Sequence, residues 1–207
     1  LPGPAPSCDD GNVCTDDSCN PASGCLHTAV SCPAGLSCSR IDGQCQAIPG
    51  LPIAVGDTWR YFKGTVEPPV AWAGLAFDDT SWLSGPSGFG FEDNDDATVL
   101  NDMQSATQPP GYVAVYVRKA FSVSAPGNVI GLDLLIDYDD GFVAYLNGTE
   151  IARRNMTAVA YNSAATASHE ASAGPGGNPA ERISLNSYFG LLVTGMNVLA
   201  IHGANVN

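Results

Sequence analysis

Two runs of carboxylates stand out by type and spacing: Asp137, Asp139 and Asp140, and then Glu92, Asp93, Asp95 and Asp96. Glycoside hydrolysis requires two carboxyls at a fixed separation, and alternating carboxylates such as Asp93 and Asp95 can point at one divalent cation. The first run is accounted for as a turn. Asp tolerates turn geometry and Gly141 supplies a positive φ, so Asp139-Asp140-Gly141 reverses the chain. The second run makes Glu92, Asp93, Asp95 and Asp96 candidate calcium ligands, although EF-hand spacing fails at Ala97 and Thr98. His27, His169 and His202 are scattered and form no HExxH-type pair. His169-Glu170 falls in an Ala-, Ser- and Gly-rich loop over 155–180, expected to be mobile and to lack the rigid support that catalysis needs. GPSGFG is not a nucleophile elbow, and AGPGGN follows no convincing strand and opens no helix. No catalytic residue is assigned.

A sugar site requires an exposed aromatic platform with polar neighbours for the hydroxyls. Alternation through GYVAVYVRKAFSV sends Val113, Val115, Val117, Phe121 and Val123 to a buried face and Tyr112, Tyr116 and Arg118 to the other. Tyr145 can share that second face, and Trp72 lies in a loop; Trp72, Tyr112, Tyr116, Arg118 and Tyr145 are therefore the candidate ligand contacts. Trp59, Trp82 and Phe89 are expected in the core. The sequons at Asn147 and Asn155 are read as incidental.

Cysteine usage divides the chain. Cys8, Cys14, Cys19, Cys25, Cys32, Cys38 and Cys45 are all the cysteines present. Dense cysteine in a short, weakly apolar segment indicates disulfides and an oxidising, secreted location. Zinc is disfavoured because the segment has no CxxC pair and His27 is its only histidine. Seven is odd, so six pair and one is unassigned: it is free, pairs with another chain or has lost its partner. The organisation is a Pro-rich leader at 1–7, a disulfide module at 8–45, a linker at 46–54 and a second domain at 55–207.

The second domain reads as all-β. Strands are expected at 56–64, around Trp82, at 111–123, 183–188 and 195–207. LDLLIDYDDGFVAYLNGTEIARR (132–154) reads as a meander of three strands with turns at Asp139-Asp140-Gly141 and Asn147-Gly148. Asn-Gly is the strongest short hairpin signal. Strands every 8 to 15 residues (roughly), separated by turn residues, indicate an antiparallel sandwich. The 23 Gly and 15 Pro among 207 residues, with 14% charged, agree with a turn-rich β protein.

Cys8, Asp10, Asn12, Cys14, Thr15, Asp17, Cys19 and Cys25 resemble the slime-mould CTDC-type repeat, which implies an extracellular spacer or adhesive element. The segments WRYFKG, FDDTSWLSGPSGFGFEDND, VYVRKAF, IDYDDGFVAYLNGTEIARRN and GMNVLAIHGAN resemble a galactose-binding-like jelly-roll β-sandwich of large secreted bacterial proteins, of the kind that accompanies glycoside hydrolases. That resemblance implies carbohydrate binding and a structural calcium ion. It also implies a further strand beyond GMNVLAI, so the sheet edge at the end of the sequence is expected to be unfilled.

A net charge of −13 disfavours nucleic acid and anionic membranes. No apolar run reaches the length of about 18 residues needed to cross a membrane as a helix. The expected function is a non-catalytic extracellular binding or adhesion module with a polysaccharide or cell-surface glycan as partner. The alternative is a self-assembling fibre or surface-layer subunit joined by strand addition at a sheet edge. An accessory domain of a secreted hydrolase is the third reading.

Overall fold

The structure, a computed structural model, describes residues 7–21, 23–31, 36–38, 43–47, 52–91, 96–103, 111–129, 131–172 and 177–206. The chain divides into two compact units, Leu1–Leu51 and Pro52–Asn207.

The first unit holds two antiparallel hairpins. One pairs β1 (Thr15–Asn20) with β2 (Gly24–Ala29), and the other pairs β3 (Leu36–Cys38) with β4 (Cys45–Ala47). Almost every side chain of β1 and β2 is exposed, so burial contributes little and covalent ties take its place. Cys14 bonds Cys38 at 2.04 Å, and Cys8 bonds Cys25 at 2.08 Å. Cys8 also contacts Cys19, the cross-strand neighbour of Cys25. Cys45 is disulfide-bonded as well, and Cys32 lies outside the described residues. Sulfurs joined in disulfides are not thiolate ligands for zinc.

The Asp and Asn residues of this unit shape its turns. Asp9 Oδ1 accepts the Gly11 N–H at 2.8 Å, Asp10 Oδ1 that of Asn12 at 2.9 Å, and Asn12 Oδ1 that of Cys14 at 3.1 Å. Each is a side chain bonding backbone two residues on, which fixes the reversal.

The second unit is a sandwich. Its larger sheet runs in the order β12-β11-β14-β9-β5-β6, all antiparallel. In chain order these strands are β5 (Thr58–Lys63), β6 (Leu83–Pro86), β9 (Ala114–Val123), β11 (Gly141–Leu146), β12 (Thr149–Arg154) and β14 (Gly195–Ala204). Between β6 and β9, β7 (Phe89–Gly90) and β8 (Thr98–Val99) form a short parallel pair. The opposing layer is the antiparallel pair of β10 (Asp133–Ile136) and β13 (Glu181–Ser184).

Both faces of the large sheet are buried. On one, Leu134 and Ile136 of β10 pack on Phe121, Phe142, Ala144 and Leu146, with Leu185 and Leu192 beside them. A side chain of this size contributes about 1.5–3 kcal/mol when fully buried. The other face carries Tyr116, Val143 and Ala204, covered by Trp72, Phe77 and Trp82 from the segment after β5 and by Met156, Tyr161 and Ala165 from the segment after β12. The Tyr161 N–H donates to Glu67 Oε2 at 3.0 Å, which links the two covers.

Two expectations change and one holds. The stretch 132–154 is not a three-stranded meander: β10 pairs with β13 in the opposing layer, and only β11 and β12 form a hairpin. Asp139-Asp140-Gly141 therefore carries the chain between layers. At the second turn, Asn147 and Gly148 adopt φ of 52° and 90°, the pair of positive values that a two-residue hairpin turn demands. Finally, β14 is not an unfilled edge. It lies between β11 and β9 and is hydrogen-bonded along both sides within the chain, which removes the sheet edge on which strand addition was expected.

Candidate functional site

The five aromatic and Arg candidates separate. β9 begins at Ala114, so strand alternation does not extend back to Tyr112. Tyr112 packs with Trp59, Leu100, Met103, Val115 and Val117, on the face opposite Tyr116. Its hydroxyl donates to Asp102 Oδ1 at 2.8 Å, and Lys63 Nζ donates to Asp102 Oδ2 at 2.7 Å. Burial, with the Asp102 carboxylate adding, holds the Tyr112 hydroxyl well above its ordinary range.

Trp72, Tyr116, Tyr145 and Arg118 do come together. Trp72 meets Tyr116 and Tyr145 edge-on, with centroids 4.9 and 5.5 Å apart. This face is covered, so the group is packing rather than an open platform. Arg118 is 2% exposed and ties the cover to the sheet. Its Nε donates to Asp79 Oδ2 at 2.8 Å, its Nη1 to the carbonyls of Trp72 and Gly74, and its Nη2 to that of Phe77 at 3.3 Å. Beside it, Tyr116 and His202 stack at 4.4 Å, both fully buried. Among the described residues, neither the Tyr116 hydroxyl nor either His202 nitrogen has a hydrogen-bond partner.

Of the calcium candidates, Glu92, Asp93 and Asp95 lie outside the described residues. Asp96 is half-buried over Gly90, where an added Cβ would stand 2.5 Å from Asp96 Oδ2.

A different set of polar groups gathers where the chain crosses from β10 to β11. Tyr138 and His169 stack with centroids 3.9 Å apart and planes 8° from parallel. His169 Nδ1 lies 2.9 Å from the Tyr138 carbonyl oxygen. The His169 N–H donates to Asp140 Oδ1 at 3.0 Å, and the His169 carbonyl accepts the Asp140 N–H at 2.8 Å. Asp140, buried at φ 59°, also accepts the Val206 N–H on Oδ2 at 2.7 Å. The ring and the backbone of His169 are thus both fixed. Within the loop 155–180, His169 is therefore tied to Tyr138 and Asp140, while residues 173–176 of that loop lie outside the described residues.

Charged and amide groups frame the stack. Arg154 Nε donates to both oxygens of Glu181 at 3.1 and 3.0 Å, and the Tyr138 hydroxyl reaches Glu181 Oε2 at 3.5 Å. Asp137 Oδ1 accepts the Ser172 N–H at 3.0 Å, and the Ser172 hydroxyl donates to its other oxygen. Asn178 donates through N and Nδ2 to the Glu170 carbonyl at 3.0 and 3.2 Å. Tyr138, His169, Glu170, Arg154 and Glu181 all keep partial solvent exposure. The sequence marks Tyr138 only as a member of an alternating strand; the adjacent His169-Glu170 in a polar loop is the signal that could have found the rim.

The two sequons are occupied by structure. Asn147 Nδ2 donates to the Leu191 carbonyl and to Asn197 Oδ1, each at 2.8 Å, and Asn155 Nδ2 donates to the Asp140 carbonyl at 2.8 Å.

Residues 7–30 match the Dictyostelium (slime mold) repeat, which fits the cysteine-rich module. No curated protein matches the chain. Among solved structures, the chain is similar to a β-glucuronidase of Bacteroides uniformis at 17% identity and a TM-score of 0.47, over 74% of this chain and 14% of that one. A β-glycosidase of Bacteroides vulgatus gives 13% identity and a TM-score of 0.41, over 71% and 16%. A β-glucuronidase of Bifidobacterium dentium gives 16% and 0.44, over 72% and 19%. The chain spans less than a fifth of each of these proteins.

Proposed function

We propose that the chain is a non-catalytic extracellular module whose sandwich, galactose-binding-like in kind, binds carbohydrate at the Tyr138–His169 rim. The observation that carries this reading is the rigid, half-exposed stack of Tyr138 on His169. A sugar ring needs a flat surface and fixed polar groups around it; the half-exposed His169 ring, backed by Tyr138 that itself packs edge-on against Phe142, is the surface on offer, and its contacts lower the ordering cost of binding. The disulfides of the first unit support an oxidising compartment. Four carboxylates of the sandwich are taken up in structural pairings: Asp79 with Arg118, Asp102 with Lys63 and Tyr112, Asp140 with two backbone N–H groups, Glu181 with Arg154.

A glycan array probed with the whole chain and with Tyr138→Ala and His169→Ala tests the reading. Binding by the parent chain that falls at least about tenfold in both variants, with the thermal transition retained, is the expected result. An array without signal, or signal unchanged in both variants, refutes the site.

A further inference from the structure

Seven cysteines cannot all pair with one another, and the first unit shows where the odd one enters. Cys19 and Cys25 stand opposite each other in register on β1 and β2. Cys8, before the hairpin, serves as partner to both. Its Cα lies 5.2 Å from that of Cys25 and 6.0 Å from that of Cys19. Both spacings fall inside the range of about 4.4–6.8 Å that a disulfide spans. The three sulfurs lie within 4.8 Å of one another. One sulfur makes one disulfide, so Cys19 and Cys25 compete for Cys8. Cys14 is bonded to Cys38 and takes no part.

Burial is unequal within the cluster. Cys8 is buried, whereas Cys19 and Cys25 are exposed. The shared partner is sheltered and the two competitors are open to solvent, which is where a reactive thiol has to be. Because both Cα positions already suit Cys8, the swap needs no refolding of the hairpin. A thiolate at one competitor attacks the Cys8 sulfur; a new S–S bond forms, the old one breaks, and the departing sulfur takes up the proton. No electron enters or leaves, so no oxidant is required.

We propose that Cys8, Cys19 and Cys25 form a thiol–disulfide exchange site, in which Cys8 passes between Cys25 and Cys19 and the thiol so released reacts with an external disulfide. In that second step the thiolate bonds one half of the external molecule as a mixed disulfide, and the other half leaves as a thiol.

The test alkylates the whole chain with N-ethylmaleimide under native conditions, digests it with pepsin in acid, where the absence of thiolate halts exchange, and maps the linkages by tandem mass spectrometry. Both Cys8–Cys25 and Cys8–Cys19 linkages are expected, with the maleimide divided between Cys19 and Cys25 in complementary proportion. Incubation with uncharged hydroxyethyl disulfide before alkylation is expected to place its adduct at the same two positions. Cys19→Ser and Cys25→Ser each leave Cys8 a single partner and should lower that adduct at least about tenfold; the Cys14–Cys38 linkage in the same map reports that the first unit still folds. A single Cys8 linkage in every molecule of the parent chain, before and after incubation, overturns the exchange, and the parent map decides this without the variants. Maleimide confined to Cys32 or Cys45 places the odd thiol elsewhere and overturns the site, as does an adduct retained in both serine variants.

Discussion

Asn147 Nδ2 donates to Asn197 Oδ1 across 2.8 Å, joining the β11–β12 turn to the start of β14. The pair closes a small network. Asn197, fully buried, accepts from the Val193 N–H and donates to the Val193 and Gly195 carbonyls, while Asn147 Oδ1 accepts the Val198 N–H. Removing one member strands the rest without water. Asn197→Ala is expected to destabilise the sandwich by about 3 kcal/mol in urea unfolding, from several buried groups losing partners at roughly 1–3 kcal/mol each. A loss below about 1 kcal/mol would show that the network is dispensable.

Arg118 and Asp79 form an unequal pair: the guanidinium side chain is 2% exposed and the carboxylate side chain 26%. Arg118→Met leaves the carbonyls of Trp72, Gly74 and Phe77 without their donor and is expected to lose about 3–5 kcal/mol. Asp79→Asn keeps the shape and one acceptor but leaves the buried Arg118 guanidinium without its counter-charge, so a loss of about 3 kcal/mol is expected. A loss below about 1 kcal/mol in either variant, read by equilibrium unfolding, would contradict this account of the cover.

His202 supplies a pH dependence. Burial, with the Arg153 charge adding, pushes it down to about 4 from the ordinary 6.5. The folded chain thus keeps the ring neutral where the unfolded chain binds a proton. Stability from this residue is complete above about 6.5 and is lost as pH falls toward 4, by about 3 kcal/mol over the window. His202→Phe keeps an aromatic ring without the titration. The difference in unfolding free energy between the parent and this variant should slope between pH 6.5 and 4 and flatten above; a flat difference throughout would refute the assignment.

The two units should respond separately to reductant. No cysteine follows Cys45, so dithiothreitol is expected to abolish protease resistance in residues 8–45 while the thermal transition of the sandwich moves by less than about 2 °C, since its own contacts are untouched. A shift of the sandwich transition comparable to that of a core mutant would show that its stability draws on the disulfides.

The parts of the fold legible in the sequence are those settled by neighbours along the chain. Asn147-Gly148 reads correctly because two positive φ values are a local demand. Asp139-Asp140-Gly141 reads identically whether it folds a hairpin or crosses between layers. The choice is made by Asp140 reaching His169 and Val206, 29 and 66 residues away. Tyr112 misleads for a related reason: alternation holds only inside a strand, and the strand starts two residues later. The rim was hidden because its rigidity comes from contacts across the crossing, while composition alone around His169 suggests a loose loop. The aromatic residues were visible, but an unpaired sequence does not show which sheet face receives a cover.

The position of β14 in the middle of the large sheet has a consequence for how the chain is made. A ribosome delivers β5, β9, β11 and β12 well before the strand that joins them. Until residues 195–204 emerge, the nascent sandwich consists of a β5–β9 part and a β11–β12 part, each with an open, apolar flank. Assembly then depends on contacts far apart in sequence, which form slowly, and the interval before that strand arrives is when holding chaperones or neighbouring nascent chains have access to those flanks.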